Sequence, residues 1–126
     1  KMLSHERVAI GTDALFGGSP HPRTYGAYPR ILGHYVRDEN LMTFEEAVRK
    51  MTSLPARAMG LDQKGLVRPG MDADLTVVRP HMVEERSSFA DPRQFPSGVP
   101  HVLVNGEFVV RDGEVTGTLP GEPIRA

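Results

Sequence analysis

Apolar and polar positions follow one kind of spacing before about residue 62 and another kind after it. The first part combines a short apolar run with segments of helical periodicity, whereas the second part contains β-branched runs separated by Gly-containing turns. This order predicts an α/β protein in two parts, residues 1–62 and residues 63–126. No internal repeat is apparent in the sequence.

The first apolar run spans residues 8–13 and ends on Asp13. A short run of small and β-branched residues is typical of a buried strand inside a parallel sheet, and such a strand needs neighbours. Asp13 would lie at the carboxyl end of this strand, where parallel-sheet enzymes carry catalytic residues. The alternative is that Asp13 only caps the turn that follows, as Asp often does.

Two helices are predicted after a long loop. Residues 15–28 are rich in Gly and Pro and lack periodicity, so they predict a loop that is long enough to have a function. From Pro29 onward the apolar positions have helical spacing. A second helix is predicted after Thr43, which forms the capping-box pattern with Glu46. Its apolar face contains Phe44, Ala47, Val48 and Met51.

A short helical turn, capped by Ser53 and ended by Gly60, completes the first part. In the second part, residues 75–78 have the pattern of a buried strand, and residues 80–100 form a poorly patterned connection. Residues 101–116 predict a three-stranded meander, because two turn dipeptides separate strand-length segments. These dipeptides are Asn105-Gly106 and Asp112-Gly113.

Composition and charge exclude several classes of protein. The 13 Gly and 11 Pro residues predict many loops, and the 15 basic and 16 acidic residues predict no nucleic-acid or membrane-surface partner. The chain has no Cys, which excludes a disulfide framework and a thiolate metal site within it. No apolar run approaches the length of a membrane span. We therefore expect a soluble, cytoplasmic protein, and the sequence leaves open whether it forms an oligomer.

The candidate chemistry lies close to Asp13. Two prolines flank His21, and the second precedes Arg23, so the backbone is restricted and both side chains have defined directions. A guanidinium group can bind a planar carboxylate through two parallel hydrogen bonds. The structural alternative is that Arg23 pairs with Asp13 or with a nearby Glu. The five His residues have no spacing typical of zinc ligands, and those other than His21 are expected at the surface or in packing.

Several segments carry a resemblance to a known family. They are residues 10–13 (Ile-Gly-Thr-Asp), 21–26 (His-Pro-Arg-Thr-Tyr-Gly), 28–33 (Tyr-Pro-Arg-Ile-Leu-Gly) and 50–56 (Lys-Met-Thr-Ser-Leu-Pro-Ala). Together they resemble the C-terminal part of the N-acyl-D-amino-acid deacylases (D-aminoacylases) of the amidohydrolase superfamily. Residues 65–75 and 104–106 are similar to the C-terminal signature of the superfamily, which dihydroorotases and hydantoinases share. The resemblance extends from Val8 to about Gly121.

The resemblance implies the fold of a metal-dependent (β/α)8 barrel with a small β-sandwich built from both chain ends. Residues 1–62 would supply the last barrel strand, the active-site loop and the following helices. Residues 63–126 would supply the C-terminal part of the β-sandwich. The main partner of this chain would then be the remainder of the same polypeptide.

The resemblance also implies roles for the candidate residues. Asp13 would take a proton from a zinc-activated water and pass it to the leaving amine, and it could make a weak or second-metal contact. Arg23, beside His21, would bind the carboxylate of an N-acyl-D-amino acid. The other zinc ligands would lie outside this chain. We therefore expect the isolated chain to bind no zinc tightly and to be inactive.

Two alternatives stay open at this point. The first is a fragment of a cyclic amidase similar to hydantoinases and dihydroorotases, which Arg23 disfavours without excluding it. The second is a non-catalytic structural or interaction module, in which the β-rich part mediates assembly.

Overall fold

The computed structural model describes residues 2–124. Helices come first along the chain and a small antiparallel sheet follows, which gives the predicted α/β order. The helical part contains α1 (Arg23–Arg30), a π-helix (Ile31–Asp38), α2 (Phe44–Met51) and α3 (Ser53–Ala58). The sheet contains β1 (Leu75–Val77), β2 (His101–Val104), β3 (Glu107–Arg111) and β4 (Glu114–Val115). Within the described range, no helix is long and apolar enough to cross a membrane.

The strand predicted for residues 8–13 is absent, because this segment has no ladder partner among residues 2–124. Its backbone groups bind the helices instead. The N–H of Ile10 donates to the carbonyl of Lys50 in α2 at 2.9 Å. Ile10 is buried, but it is the only buried residue of the run, so the prediction of a fully buried segment is wrong within residues 2–124.

The predicted loop is shorter than expected at its C-terminal end, since α1 begins at Arg23. The carbonyl of Pro22 accepts the N–H of Gly26 at 2.9 Å and starts the helix. Pro29 therefore lies inside α1 and not in a first helical turn. A proline has no N–H and its ring crowds the carbonyl four residues earlier, which disturbs α-helical bonding. The chain continues directly after Arg30 as a π-helix.

The cap of α2 was predicted correctly in part. The hydroxyl of Thr43 accepts the N–H of Glu46 at 3.2 Å, as the capping-box pattern requires. The carboxylate of Glu46, however, binds the guanidinium of Arg49 at 2.7 Å and not the cap backbone. The prediction for α3 was also one residue off, because Ser53 is its first residue and Thr52 occupies the cap position.

One hydrophobic core joins the helices to the connection between β1 and β2, residues 80–100. Val83 lies in that connection and is fully buried. Its carbonyl accepts the Arg37 guanidinium at 2.7 Å, and a Cβ at Gly33 would lie only 2.6 Å from the same oxygen. The absence of a side chain at Gly33 therefore allows this close approach. The buried core consists of Ile10, Ile31, Leu32, Val36, Ala47 and Val83.

The sheet confirms the predicted meander. Its strands lie in sequence order and every neighbouring pair is antiparallel. Both turn dipeptides have positive φ at both positions, 49° and 80° at Asn105-Gly106 and 54° and 86° at Asp112-Gly113. These angles are what a type I′ turn requires. β1 ends one residue before the predicted limit, and it is partly exposed and not buried.

An ion-pair cluster fastens the first hairpin turn to the chain before β1. The ammonium of Lys64 binds the carboxylates of Asp72 at 2.8 Å and Asp74 at 2.5 Å. The other oxygen of Asp74 accepts the N–H of Asn105 at 2.9 Å. The pKa of the Asp74 carboxyl is therefore lowered, mainly by the bond from Lys64 and then by the bond from Asn105. The bond between Asn105 and Asp74 thus joins the segments 65–75 and 104–106, which resemble the superfamily signature.

We expect Asp74→Asn to lower the free energy of unfolding by about 1 kcal/mol at pH 7, after allowance for solvent screening. Because the folded pKa is lowered, the contribution of this carboxylate is present above its unfolded pKa of about 3.9 and is lost as the pH falls through the folded pKa. Urea unfolding of wild type and variant at pH 7 and at about pH 3 measures this difference, which should shrink at the lower pH.

Asp72→Asn is the matched control, since it removes a partner of Lys64 without touching Asn105. Asp72→Asn should lower the free energy of unfolding at pH 7 by less than Asp74→Asn does, because an exposed ion pair contributes about 0–1 kcal/mol. Equal costs for both variants, or a cost for Asp74→Asn that does not change with pH, would contradict the assignment.

Candidate active site

The site predicted from the sequence is built on the segment that leads into α1. Asp13 has a φ of 48°, a left-handed backbone conformation that is uncommon outside Gly and that Asp tolerates better than most residues. Such conformations often mark functional positions. Asp13 is exposed, and ten residues later Arg23 opens α1 with a partly buried side chain.

Asp13 and Arg23 are in direct contact. The Nη2 atom of Arg23 lies 2.7 Å from the Oδ2 atom of Asp13, and its Nε donates to the Asp13 carbonyl at 3.1 Å. One side of the guanidinium thus binds both the side chain and the backbone of Asp13. The alternative pairing of Arg23 with Asp13 is therefore what the structure contains. A guanidinium has five N–H donors, so this contact leaves donors for another anion.

His21 lies beside this pair without joining it. Its Nδ1 accepts the backbone N–H of Arg23 at 3.1 Å. Its ring meets that of Phe89 edge-on, with the centroids 5.0 Å apart. In a neutral imidazole the nitrogen that does not accept carries the proton, so Nε2 is the atom that can donate to a ligand. The flanking Pro20 and Pro22 are buried, as a loop with a fixed shape requires.

The connection between β1 and β2 forms a wall of the site that sequence reasoning missed. The buried hydroxyl of Ser87 donates to the carbonyl of Pro22 at 3.0 Å, and Arg93 donates to the carbonyl of Gly18 at 2.9 Å. Phe95 packs edge-on against Tyr25 at 5.9 Å between centroids. Residues 80–100 lack any periodic pattern, so only their aromatic side chains and their Pro breaks could have pointed to a contact role.

The described residues do not by themselves fit a zinc centre. Among residues 2–124, no three His, Asp or Glu side chains come together as metal ligands. The carboxylate of Asp13 is engaged by Arg23, which a metal ion would have to displace or share. His21 is the first imidazole after Asp13 along the chain, but its Nδ1 is occupied by a backbone N–H. A zinc site including Asp13 would need further ligands.

The arrangement therefore offers two chemical functions side by side. A carboxylate can accept and release a proton, and a guanidinium can bind an anionic group through parallel hydrogen bonds. The two groups lie 2.7 Å apart, three residues after the buried Ile10 on the Asp13 side. A substrate with a scissile bond next to a carboxylate would match both groups at once.

A family model described as the amidohydrolase family matches residues 1–110 of the chain. An N-acyl-D-glutamate deacylase of Alcaligenes xylosoxydans xylosoxydans is 42% identical over 107 residues, which cover 84% of this chain and 22% of that protein. The chain thus spans about a quarter or less of the length of such relatives. A dihydroorotase of Syntrophus aciditrophicus is 49% identical over 43 residues, only 34% of this chain.

Solved structures give the same result. A crystal structure of D-aminoacylase matches with a TM-score of 0.89 and 42% identity, over 93% of this chain and 25% of that one. An N-acyl-D-glutamate deacylase from Bordetella bronchiseptica matches with a TM-score of 0.82 and 40% identity, over 90% of this chain and 26% of that one. The latter is complexed with zinc and a phosphonate inhibitor that mimics the tetrahedral intermediate of its reaction.

We expect Gly26→Ala to destabilise the protein, although Ala is normally the better helix former by about 1 kcal/mol. A Cβ at this position in α1 would overlap the Ser87 hydroxyl oxygen and approach the Glu85 side chain. Since Ser87 is buried and holds Pro22, it has little room to move. Overpacking of this kind costs about 1–3 kcal/mol, which thermal or urea unfolding would measure.

A Ser87→Gly background provides the control. There the obstructing hydroxyl is gone and the Glu85 side chain remains, so adding Ala at position 26 should lower the free energy of unfolding by less than in the wild type. If Gly26→Ala has the same cost in both backgrounds, the loop and the connection are not in contact as described.

Proposed function

The chain belongs to the amidohydrolase family, and we propose that it is part of a metal-dependent hydrolase that cleaves the amide bond of N-acyl-D-amino acids. The observation that carries this proposal is the contact between Asp13 and Arg23, 2.7 Å apart and presented by one loop. Relatives at about 40% identity that are deacylases of N-acyl-D-glutamate and N-acyl-D-aspartate support the substrate class. The dihydroorotase match covers too little of the chain to favour a cyclic amidase.

The proposal assigns the architecture in two parts. Residues 1–62 supply the last strand of a (β/α)8 barrel, the active-site loop and the helices, and residues 63–126 supply the C-terminal part of a β-sandwich. The segment 8–13 would gain its ladder partners from the preceding part of the polypeptide. Its burial at Ile10 and its lack of a strand partner within residues 2–124 support this assignment.

Asp13 carries the proton in the proposed reaction. Its carboxylate accepts a proton from the attacking water as oxygen bonds to the amide carbon. It then gives this proton to the nitrogen as the C–N bond breaks, so that a carboxylic acid and an amine leave. The zinc of the whole enzyme would be held by residues outside this chain; an N-acyl-D-glutamate deacylase of similar structure is complexed with zinc.

Arg23 and His21 bind the substrate carboxylate. Arg23 uses its Nε donor and one Nη2 donor on Asp13. Its remaining N–H donors would bind the substrate carboxylate. His21 adds the Nε2 donor, since its Nδ1 is engaged. Because Arg23 touches both groups, binding of the substrate carboxylate would also fix the scissile amide next to Asp13. Such orientation is a large source of rate acceleration.

We expect Arg23→Lys in the full-length protein to lower kcat/KM for an N-acyl-D-amino acid by about 2–4 kcal/mol of transition-state binding. A Lys offers a point charge where Arg offers a planar fork. Metal content should not change. Steady-state kinetics on the acyl amino acid and on the matching N-acyl amine, which lacks the carboxylate, would show most of the difference only with the charged substrate.

Arg93→Lys is the comparison variant, because Arg93 also anchors this loop but through Gly18. It should affect the charged and the uncharged substrate equally. If Arg23→Lys loses as much activity on the uncharged substrate as on the charged one, then Arg23 supports the loop and does not bind the ligand.

A further inference from the structure

Lys50 is a fully buried charged residue in α2, with no exposed surface. Lys is almost never buried completely unless its ammonium group is paired or hydrogen-bonded. Lys50 lies three residues after the buried Ala47, on the same face of the helix. The reaction proposed above gives this residue no role.

The ammonium of Lys50 binds the backbone that precedes Asp13. It donates to the carbonyls of His5 and Val8, the latter at 3.1 Å. The carboxylate of Glu46, one turn earlier in α2, lies 3.7 Å away and balances the charge. The carbonyl of Lys50 accepts the N–H of Ile10 at 2.9 Å. One residue therefore holds the segment through both its side chain and its backbone.

The neighbouring residue adds to this attachment. Arg49 donates to the carbonyl of Glu6 at 2.7 Å, and its other contacts are with Glu46. The C-terminal half of α2 thus fixes residues 5–10, while Arg23 of α1 fixes Asp13 itself. Only residues 11 and 12 lie between these two attachments. The direction in which the Asp13 carboxylate leaves the segment is therefore set from two helices.

We propose that Lys50 is a positioning residue for Asp13, which orients the segment 8–13 so that the carboxylate meets Arg23 and the scissile bond. This inference rests on the proposed function as far as catalysis is concerned. Lys50 is remote from the substrate, and its effect passes through the backbone of Val8 and Ile10. A small displacement of a reacting group can cost about 100-fold in rate. A residue that only stabilised the fold would change the amount of folded enzyme and not its turnover.

The test uses the full-length protein with its metal bound. Lys50→Met keeps the aliphatic volume but removes the ammonium donor from the carbonyls of His5 and Val8, of which the His5 carbonyl still accepts the N–H of Val8. We expect kcat for an N-acyl-D-amino acid to fall about 10- to 100-fold, with KM within about 3-fold and with unchanged metal content. Lys50→Arg, which keeps a cationic donor, should recover most of the lost kcat. Lys64→Met is the matched control, because it removes another paired Lys from the ion-pair cluster of the sheet.

Hydrogen exchange provides a readout that does not depend on activity. In Lys50→Met the amides of residues 8–13 should exchange about 10-fold faster or more, since local opening becomes easier. The amides of β2 and β3 should keep the wild-type rate. In Lys64→Met the amides of β2 and β3 should exchange faster than in the wild type, and those of residues 8–13 should keep the wild-type rate. The kcat of this variant should be normal. If Lys50→Met does not accumulate as folded protein, Lys50→Gln, which keeps a neutral NH2 donor group, is measured by the same criteria.

Two results would overturn the inference. One is a Lys50→Met enzyme with wild-type kcat, whatever its exchange rates. The other is faster exchange throughout the protein, with an equal loss of activity in Lys64→Met, which would indicate general destabilisation. A wild-type enzyme without deacylase activity would refute the proposed function instead, and the exchange rates of residues 8–13 would still decide whether Lys50 holds this segment.

Discussion

The backbone between His5 and Asp13 is held by three basic side chains, and the rest of the site depends on this attachment. Lys50 and Arg49 of α2 bind carbonyls of residues 5–8, and Arg23 of α1 binds the carbonyl of Asp13. The α2 helix also accepts the N–H of Ile10 through the carbonyl of Lys50, and the segment has no ladder partner among residues 2–124. Within residues 2–124, no buried side-chain nitrogen or oxygen lacks a partner. The helices thus supply bonds that a neighbouring strand would provide in a complete sheet.

The β-rich part contributes to the site through the connection that precedes its meander. Val83 fills the helical core, Ser87 holds Pro22, and Arg93 holds Gly18. Gly98 allows the connection to fold back, since a Cβ there would overlap the backbone of Val83 and its φ is 73°. The two parts are therefore not independent, although their sequence patterns differ. A change in the connection is expected to reach His21 and Arg23 through these contacts.

The sequence was most informative where the structure depends on local chemistry. The turns at Asn105-Gly106 and Asp112-Gly113, and the cap at Thr43, follow from a few residues with strong conformational preferences. The strand at residues 8–13 could not form here, because strand formation depends on partners and not on the segment itself. The start of α1 at Arg23 and the contacts of residues 80–100 were not predicted. Gly, Pro and aromatic residues in these irregular segments have no hydrophobic periodicity from which structure could be inferred. The contact between Asp13 and Arg23 was foreseen only as an alternative.

The central claim is that Asp13 is the proton-transfer group of an enzyme that hydrolyses N-acyl-D-amino acids. The most direct measurement is the turnover of the metal-loaded full-length protein and of its Asp13→Asn variant on paired D- and L-enantiomers of one N-acyl amino acid. We expect the wild type to hydrolyse the D-enantiomer and the variant to lose at least about 100-fold in kcat, as removal of a general acid–base group does. The claim would be contradicted by a variant that retains wild-type turnover, or by a wild-type protein that hydrolyses neither enantiomer.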